Sequence, residues 1–148
     1  MKYYIAVLKK YAVFTGRASR SEYWFFTLFS FIFSMIASII DKMLGTRVDY
    51  DESYNAAYGY ASTSVHFGYI QLVYCIAVFM PALAVLVRRL HDTGKSGWYI
   101  LLLFLPIIGW IWILVLLCTD SQEGENQYGP HPYGVGYHAI DQIGSDLQ

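Results

Sequence analysis

Two long uncharged runs, separated by a short and heavily charged segment, restrict what this chain can fold into. Phe67 to Val87 is 21 residues without a charge, and Gly97 to Cys118 is 22 residues without a charge. A membrane-spanning helix needs about 20 consecutive apolar residues. The segment between them, Arg88 to Trp98, must therefore lie at a membrane edge. It holds the densest set of ionisable groups in the chain, which makes it the best candidate for a site.

The composition agrees with a membrane protein. Only 14% of the residues are charged, against roughly 25% in a typical soluble domain. The net charge of −1 gives no support to a nucleic acid partner, and we expect none. Cys75 and Cys118 lie within or at the end of apolar runs, where they are expected to pack as small hydrophobic residues. Two thiols without neighbouring ligands cannot complete a tetrahedral metal site, so we predict no cofactor.

The N-terminal part predicts two helices. Met1 to Tyr11 has apolar residues at helical spacing between lysines, which favours a short interfacial helix; a frayed basic tail is the alternative. Ser19-Arg20-Ser21-Glu22 is a capping box that predicts a helix start near Arg20. The uncharged stretch from Tyr23 to Ile40 would extend roughly 27 Å as a helix, enough to cross a bilayer. Its serines recur every four residues, and that face is predicted to turn toward other spans.

The last apolar run contains Pro106 and Gly109 near its middle, which predicts a bend in a third span. A re-entrant hairpin turning at these residues is the alternative. We disfavour it because the turn has no polar residue, so its backbone would lack hydrogen-bond partners in lipid. The predicted fold is thus an all-α integral membrane protein. About three transmembrane helices (23–40, 67–87 and 97–118) follow the interfacial helix in a single domain of residues 1–133, and residues 134–148 form a polar tail.

The basic residues predict the orientation. The segment before the first span has five, and the loop from Arg88 to Lys95 has three, whereas the other side has only Lys42 and Arg47. The positive-inside rule then places the N-terminus and this loop in the cytoplasm. With three spans, the polar segment 41–66 and the acidic tail would lie outside.

Two motifs of the charged segment suggest specific chemistry. Gly94-Lys95-Ser96 suggests a phosphate-binding loop, but that motif requires a glycine where this chain has Arg89. His91 and Asp92 suggest a proton-handling pair. We favour the alternative, that Asp92 neutralises a neighbouring arginine. No catalytic constellation is recognisable, so we predict that the protein is not an enzyme.

The remaining site prediction concerns the membrane face. Basic side chains from the first two spans would converge there, able to contact lipid phosphates or a partner protein. These residues are Arg17, Arg20, Arg88, Arg89, His91 and Lys95. The alternative is that these basic residues only fix the orientation of the protein in the membrane and bind no ligand. Glu22 needs a cationic partner at this face, and Arg88 or Arg89 is the natural one. Glu22 and Asp92 are therefore predicted to form structural ion pairs.

Several motifs in a fixed order carry a family resemblance. They are Phe14-x-Gly16-Arg17-Ala18-x-Arg20-x-Glu22-Tyr23-Trp24, Arg88-Arg89-Leu90-His91-Asp92-Thr93, Trp98 with the run to Pro106 and Gly109-Trp110, and Gly124-Glu125-Asn126-x-Tyr128-Gly129-Pro130. With these, residues 1 to about 133 resemble the YhaH/YhaI-type family of small bacterial inner-membrane proteins, a domain of unknown function. The resemblance implies a multi-spanning protein of the bacterial inner membrane. It brings no activity or catalytic residue.

We therefore predict a non-enzymatic membrane protein whose basic cytoplasmic face engages anionic lipid headgroups or a membrane partner protein, a second copy of itself included. The alternative is a small transporter or channel subunit, with a path lined by serines and by the kinks at Pro81 and Pro106. The spans hold no ionisable residue, and transported polar substrates generally need some, so we disfavour this alternative.

Overall fold

The computed structural model describes residues 2–50 and 65–133. Its helices are α1 (Lys2–Lys9), α2 (Arg20–Leu44), α3 (Tyr69–Asp92), a 3-10 helix (Gly97–Phe104) and α4 (Ile108–Cys118). Two short strands, β1 (Arg47–Tyr50) and β2 (Val65–Gly68), pair antiparallel with Arg47 opposite Gly68. The predicted tail, 134–148, and most of the Tyr-rich segment lie outside the described residues.

The described residues group into two compact units. The first contains residues 2–27 and 80–133, and the second contains residues 28–50 and 65–79. Both α2 and α3 contribute to each unit. All of the sequence-predicted site residues belong to the first.

In the first unit, α1 packs against the beginning of α2. The Tyr3 ring stacks on Phe25 with centroids 5.5 Å apart, and Tyr4 stacks on Phe26 at 5.3 Å. Tyr4 is buried, as is Val7 one turn later. The predicted N-terminal helix is therefore present, and its position at a membrane interface stays a prediction.

The predicted start of α2 is confirmed, and one of the two hydrogen bonds of the predicted capping box is formed. Ser19 Oγ accepts from the Glu22 backbone N–H at 3.2 Å, satisfying one of the free donors at a helix N-terminus. The carboxylate of Glu22 does not complete the box. It pairs instead with Arg88, whose cationic side chain is the stronger partner.

In the second unit, Asp41 joins the end of α2 to the beginning of α3. Its carboxylate accepts from the backbone N–H groups of Ile70 and Gln71, at 3.0 and 2.9 Å, and so caps α3 from a distance. Thr46 Oγ1 donates to the same carboxylate at 2.6 Å. A side chain at Gly68 would overlap Asp41, which explains the glycine there.

The serine face of α2 is turned toward α3, as predicted. Gln71 Nε2 donates to Ser34 Oγ at 3.4 Å, and the Tyr74 hydroxyl donates to the Ser30 carbonyl at 3.2 Å. The small serine side chains leave room for these longer polar groups to reach across.

Two helices in the described ranges are long and apolar enough to cross a membrane, α2 with 25 residues and α3 with 24. The predicted spans 23–40 and 67–87 correspond to them, except that Phe67 and Gly68 belong to β2.

The structure does not have the single helix predicted over residues 97–118, and the number of membrane spans stays a prediction. This segment is a hairpin, called here the apolar hairpin, in which the 3-10 helix and α4 pack together. Its halves rise only about 16 Å each, because they hold eight and 11 residues. The chain reverses through Pro106 and through Ile107, whose φ of 66° is unusual for a residue with a side chain.

The reversal works because the turn supplies its own hydrogen-bond partners. The Leu105 N–H donates to the Leu102 carbonyl at 2.9 Å, and the Gly109 N–H donates to the Leu105 carbonyl at 3.2 Å. Trp110 Nε1 donates to the Leu103 carbonyl at 3.0 Å. The sequence disfavoured a hairpin because the backbone N–H and carbonyl groups of an apolar turn were expected to lack hydrogen-bond partners. An indole N–H and the adjacent turns provide them.

Both ends of the apolar hairpin lie against the end of α3. At its beginning, Gly97 faces the Val87 and His91 side chains. At its end, Arg89 donates to the Leu117 and Thr119 carbonyls. Further along, Arg17 of the N-terminal segment donates to the Gly124 carbonyl. The described residues after α4, 119–133, are called the tail below. They are in direct contact with the N-terminal segment, and the side of the membrane on which each lies stays a prediction.

Candidate functional site

The candidate site lies at the C-terminal end of α3, and the backbone conformation of Gly94 ends this helix. Gly94 adopts a φ of 72°, and its N–H donates to the His91 carbonyl at 3.0 Å. The Lys95 N–H donates to the Leu90 carbonyl at 3.0 Å. This pair of bonds is the Schellman ending of a helix, which needs a residue tolerant of positive φ. Gly94 therefore terminates α3 instead of forming a phosphate-binding loop.

Asp92 is the centre of the site and is completely buried. Arg17 Nε donates to its Oδ1 at 2.9 Å, while Arg89 Nη1 and Ser121 Oγ donate to Oδ2. We call these four residues the Asp92 cluster. A buried carboxylate is tolerated only when it is paired and hydrogen-bonded, and both oxygens meet that condition.

Backbone carbonyl groups take the remaining hydrogen bonds of the two arginines. Arg17 donates to the carbonyls of Gln122, Gly124 and Gly129. Arg89 donates to those of Leu117 and Thr119 at the end of α4. The last carbonyls of a helix have no partner within it and carry partial negative charge, so a guanidinium there is favourable. The two arginines thereby fasten the tail to α3.

Arg88 forms the second buried ion pair. Its Nη1 donates to Glu22 Oε1 at 2.9 Å, which joins α3 to the first turn of α2. The Ala18 N–H also donates to the Arg88 carbonyl at 3.1 Å. The Arg88 side chain is 1% exposed, and its Nε and Nη2 atoms have no acceptor among the residues described. The structure thus has the pairing suggested for Glu22, with Arg88 as its partner.

His91 is engaged in stacking. Its ring lies 3.8 Å from that of Tyr128, nearly parallel at 3°. Asn126 positions the tail for this contact, because its Nδ2 donates to the His91 carbonyl and its Oδ1 accepts from the Tyr128 N–H. The Asp92 carboxylate already accepts hydrogen bonds from Arg17, Arg89 and Ser121. The geometry therefore favours the charge-neutralising role of Asp92 over a proton-handling pair with His91.

Exposed cations surround this buried core. Arg20 is partly exposed and pairs with Asp120. Lys95 is exposed, with its amine 6.0 Å from the centre of the Tyr99 ring. Beside it lies a groove of about 390 Å³, lined entirely by the first half of the apolar hairpin. The lining residues are Trp98, Tyr99, Leu101, Leu102 and Leu105.

The structure divides the six predicted contact residues into two groups. Arg17, Arg88 and Arg89 are buried and bonded to protein acceptors, so headgroup contact does not suit them. Arg20 and Lys95 are exposed, and His91 is half-buried.

Sequence reasoning missed the tail side chains of the site, Ser121, Asn126 and Tyr128. The signal for Asn126 and Tyr128 was the polar Gly124 to Pro130 motif, which follows an apolar run yet contains specific aromatic and amide residues. Ser121 had no such signal. Within residues 2–50 and 65–133, no group of three or more His, Cys, Asp or Glu is placed to hold a metal ion.

Comparison with known proteins finds relatives among bacterial inner membrane proteins. The chain is 40% identical over 132 residues to the inner membrane protein YhaI of Escherichia coli K12, covering 89% of this chain and 96% of the relative. It is 42% identical over 132 residues to the inner membrane protein YhaH of the same organism, covering 97% of that relative. No solved structure matches.

A family model described as a protein of unknown function, DUF805, matches residues 11–130. The matched range contains the Asp92 cluster and every tail residue that contacts it. The names of the relatives support an inner-membrane protein. The chain therefore belongs to the DUF805 family.

Proposed function

We propose that this protein binds anionic phospholipid headgroups at the cytoplasmic face of the inner membrane through exposed lysines near its polar end. The observation that carries this proposal is the division of its cations. Arg17, Arg88 and Arg89 are buried and bonded internally. By contrast, the exposed lysines are Lys95 and the N-terminal Lys2, Lys9 and Lys10. No ion pair joins any of these lysines to a carboxylate in the described part of the chain.

The position of Lys95 supports a phospholipid as the ligand. A lysine ammonium beside an apolar groove can hold a phosphate while the groove receives an acyl chain. Trp98 and Tyr99 line that groove next to Lys95, and such aromatic residues are typical of the headgroup level. The cytoplasmic orientation rests on the excess of basic residues in the N-terminal segment and the loop after α3.

Native mass spectrometry of protein released gently from detergent tests the proposal. The variants are Lys95→Gln and Lys9→Gln/Lys10→Gln, each compared with wild type in an equimolar mixture of phosphatidylglycerol and phosphatidylcholine. One basic group near an anionic surface contributes about 1 kcal/mol, so each lysine lost should lower phosphatidylglycerol binding about fivefold. Binding of phosphatidylcholine should stay unchanged.

Lys42→Gln is the matched control, since Lys42 is an exposed lysine at the opposite end of α2. It removes the same charge and should leave the lipid ratio as in wild type. Equal phosphatidylglycerol binding by all variants would overturn the proposal. A partner protein would then be the better explanation for the exposed lysines.

A further inference from the structure

We infer that the apolar hairpin is a lipid-contacting device that enters one leaflet of the bilayer and returns to the side from which it came. The tail from Thr119 to Tyr133 then lies on the same side of the membrane as α1. The protein would therefore cross the membrane with two helices, α2 and α3, and the apolar hairpin would reach only half of the membrane depth. This inference concerns the hairpin and its surroundings, and it does not depend on lipid binding by the lysines.

The surface of the hairpin shows what surrounds it. Phe104 is 82% exposed, and Ile107 and Ile108 at the reversal are 68% and 71% exposed. Soluble monomers rarely expose apolar patches of this extent. Toward the end of α4, Ile113, Leu116 and Leu117 are buried against the protein. This end of the hairpin is therefore packed, and the rest is suited to hydrocarbon.

The length of the hairpin agrees with one leaflet. Each half rises about 16 Å, close to half of the roughly 30 Å hydrocarbon thickness. Both ends are tied to the end of α3, the beginning through Gly97 and the end through the bonds from Arg89. A segment anchored at both ends on the same side cannot cross, and its tip reaches about mid-membrane.

The polar backbone groups at the turn of the hairpin have the hydrogen-bond partners that a hydrocarbon environment requires. Irregular backbone at membrane depth is tolerated only where its N–H and carbonyl groups have partners. The turn around Pro106 has them, from its own backbone and from the Trp110 indole. At the base, Trp98 is 77% exposed beside Lys95, an arrangement typical of the membrane boundary.

Cysteine labelling measures on which side each segment lies. In a Cys75→Ser/Cys118→Ser background, single cysteines replace Lys10, Glu125 or Phe104. Cells and inverted membrane vesicles are then treated with a membrane-impermeant maleimide. We expect Lys10→Cys and Glu125→Cys to be labelled in the vesicles at least tenfold more than in intact cells. Labelling of Glu125→Cys in intact cells, with Lys10→Cys protected there, would overturn the inference.

Fluorescence quenching measures depth. A bimane group on Phe104→Cys, in vesicles containing lipids brominated near the chain ends, should lose most of its emission. The same group on Glu125→Cys should lose almost none. If both positions are equally insensitive, the hairpin lies outside the hydrocarbon and the inference fails. Because both measurements report the side or the depth of a segment and not the amount of bound lipid, failure of this inference is distinct from failure of the proposed lipid binding.

Discussion

Asp92 shows how a single carboxylate can organise the polar end of a membrane protein. It is shared by two guanidinium groups from distant parts of the sequence, Arg17 and Arg89, and it is fully buried. Removing one member of a buried ion pair is costly because the other charges stay buried without compensation. The importance of Asp92 is therefore structural.

Replacing Asp92 by Asn preserves its shape and removes its charge. We expect the free energy of unfolding to fall by about 3–5 kcal/mol, the usual cost of breaking a buried pair. Chemical denaturation in detergent micelles measures it. Asp120→Asn is the control, since Asp120 is 82% exposed and an exposed pair contributes at most about 1 kcal/mol. Similar losses in both variants would contradict the central role of Asp92.

The pair between Glu22 and Arg88 can be measured directly. In a double-mutant cycle with Glu22→Gln and Arg88→Gln, we expect a coupling energy of about 1–3 kcal/mol, because the two groups are in contact. Thr27 is an exposed residue on α2, the helix that contains Glu22. Combining Arg88→Gln with Thr27→Ala should therefore give additive effects on stability. Additivity in the Glu22 cycle would mean that the ion pair contributes nothing to stability.

At the scale of elements, the two long helices follow from the sequence and the third apolar run does not. The capping box and the uncharged run predicted α2 correctly, since both signals are local. The hairpin depends on hydrogen bonds between residues separated by the turn, such as Trp110 to Leu103. A pattern of apolar residues contains no record of such bonds. Length alone therefore suggested a crossing helix.

Gly109→Ala distinguishes the two arrangements by the sign of its effect. In a continuous helix, replacing glycine by alanine would stabilise by roughly 0.5–1 kcal/mol. In the hairpin, the new methyl group would overlap the Leu102 carbonyl. We therefore expect destabilisation by about 1–3 kcal/mol, measured by thermal unfolding in detergent. Increased stability would instead support a third crossing.

Asp41 gives a prediction for the second unit. Asp41→Ala removes the acceptor for two N–H groups at the beginning of α3. We expect a loss of about 1–2 kcal/mol, as for other helix caps, measured by the same unfolding assay. Lys42→Ala, its exposed neighbour, should change stability by no more than about 0.5 kcal/mol. Equal effects of the two would show that Asp41 does not cap α3.

At the scale of the whole molecule, residues near both ends of the described chain meet at one site. Arg17 bonds to carbonyls of Gln122, Gly124 and Gly129. The sequence indicated that basic side chains would converge at one membrane face. It could not indicate that the tail supplies their acceptors, because backbone carbonyls are present at every position and carry no sequence signal.

A truncation tests this closure. A chain ending at Thr119 lacks the carbonyl acceptors of Arg17, Ser121 and the Tyr128 ring that covers His91. We expect it to unfold about 10 °C below wild type in detergent, as followed by circular dichroism, since a loss of a few kcal/mol lowers the unfolding temperature by roughly that amount. A chain ending at Tyr133 keeps every described contact of the site and should unfold as wild type does. Identical behaviour of both truncations would contradict a structural role for residues 120–133.

The bonds from Arg17 to the tail also set an order of events during synthesis. Arg17 leaves the ribosome early, and its acceptors at Gln122 and Gly129 follow 105 and 112 residues later. Both long helices can therefore insert while the guanidinium groups of Arg17 and Arg89 still await their last partners. The Asp92 cluster can close only after Ser121 and the carbonyl acceptors as far as Gly129 have been synthesised. A chain that stops before Ser121 would leave the Arg17 guanidinium without those carbonyls, and a buried charge that lacks its partners destabilises the fold.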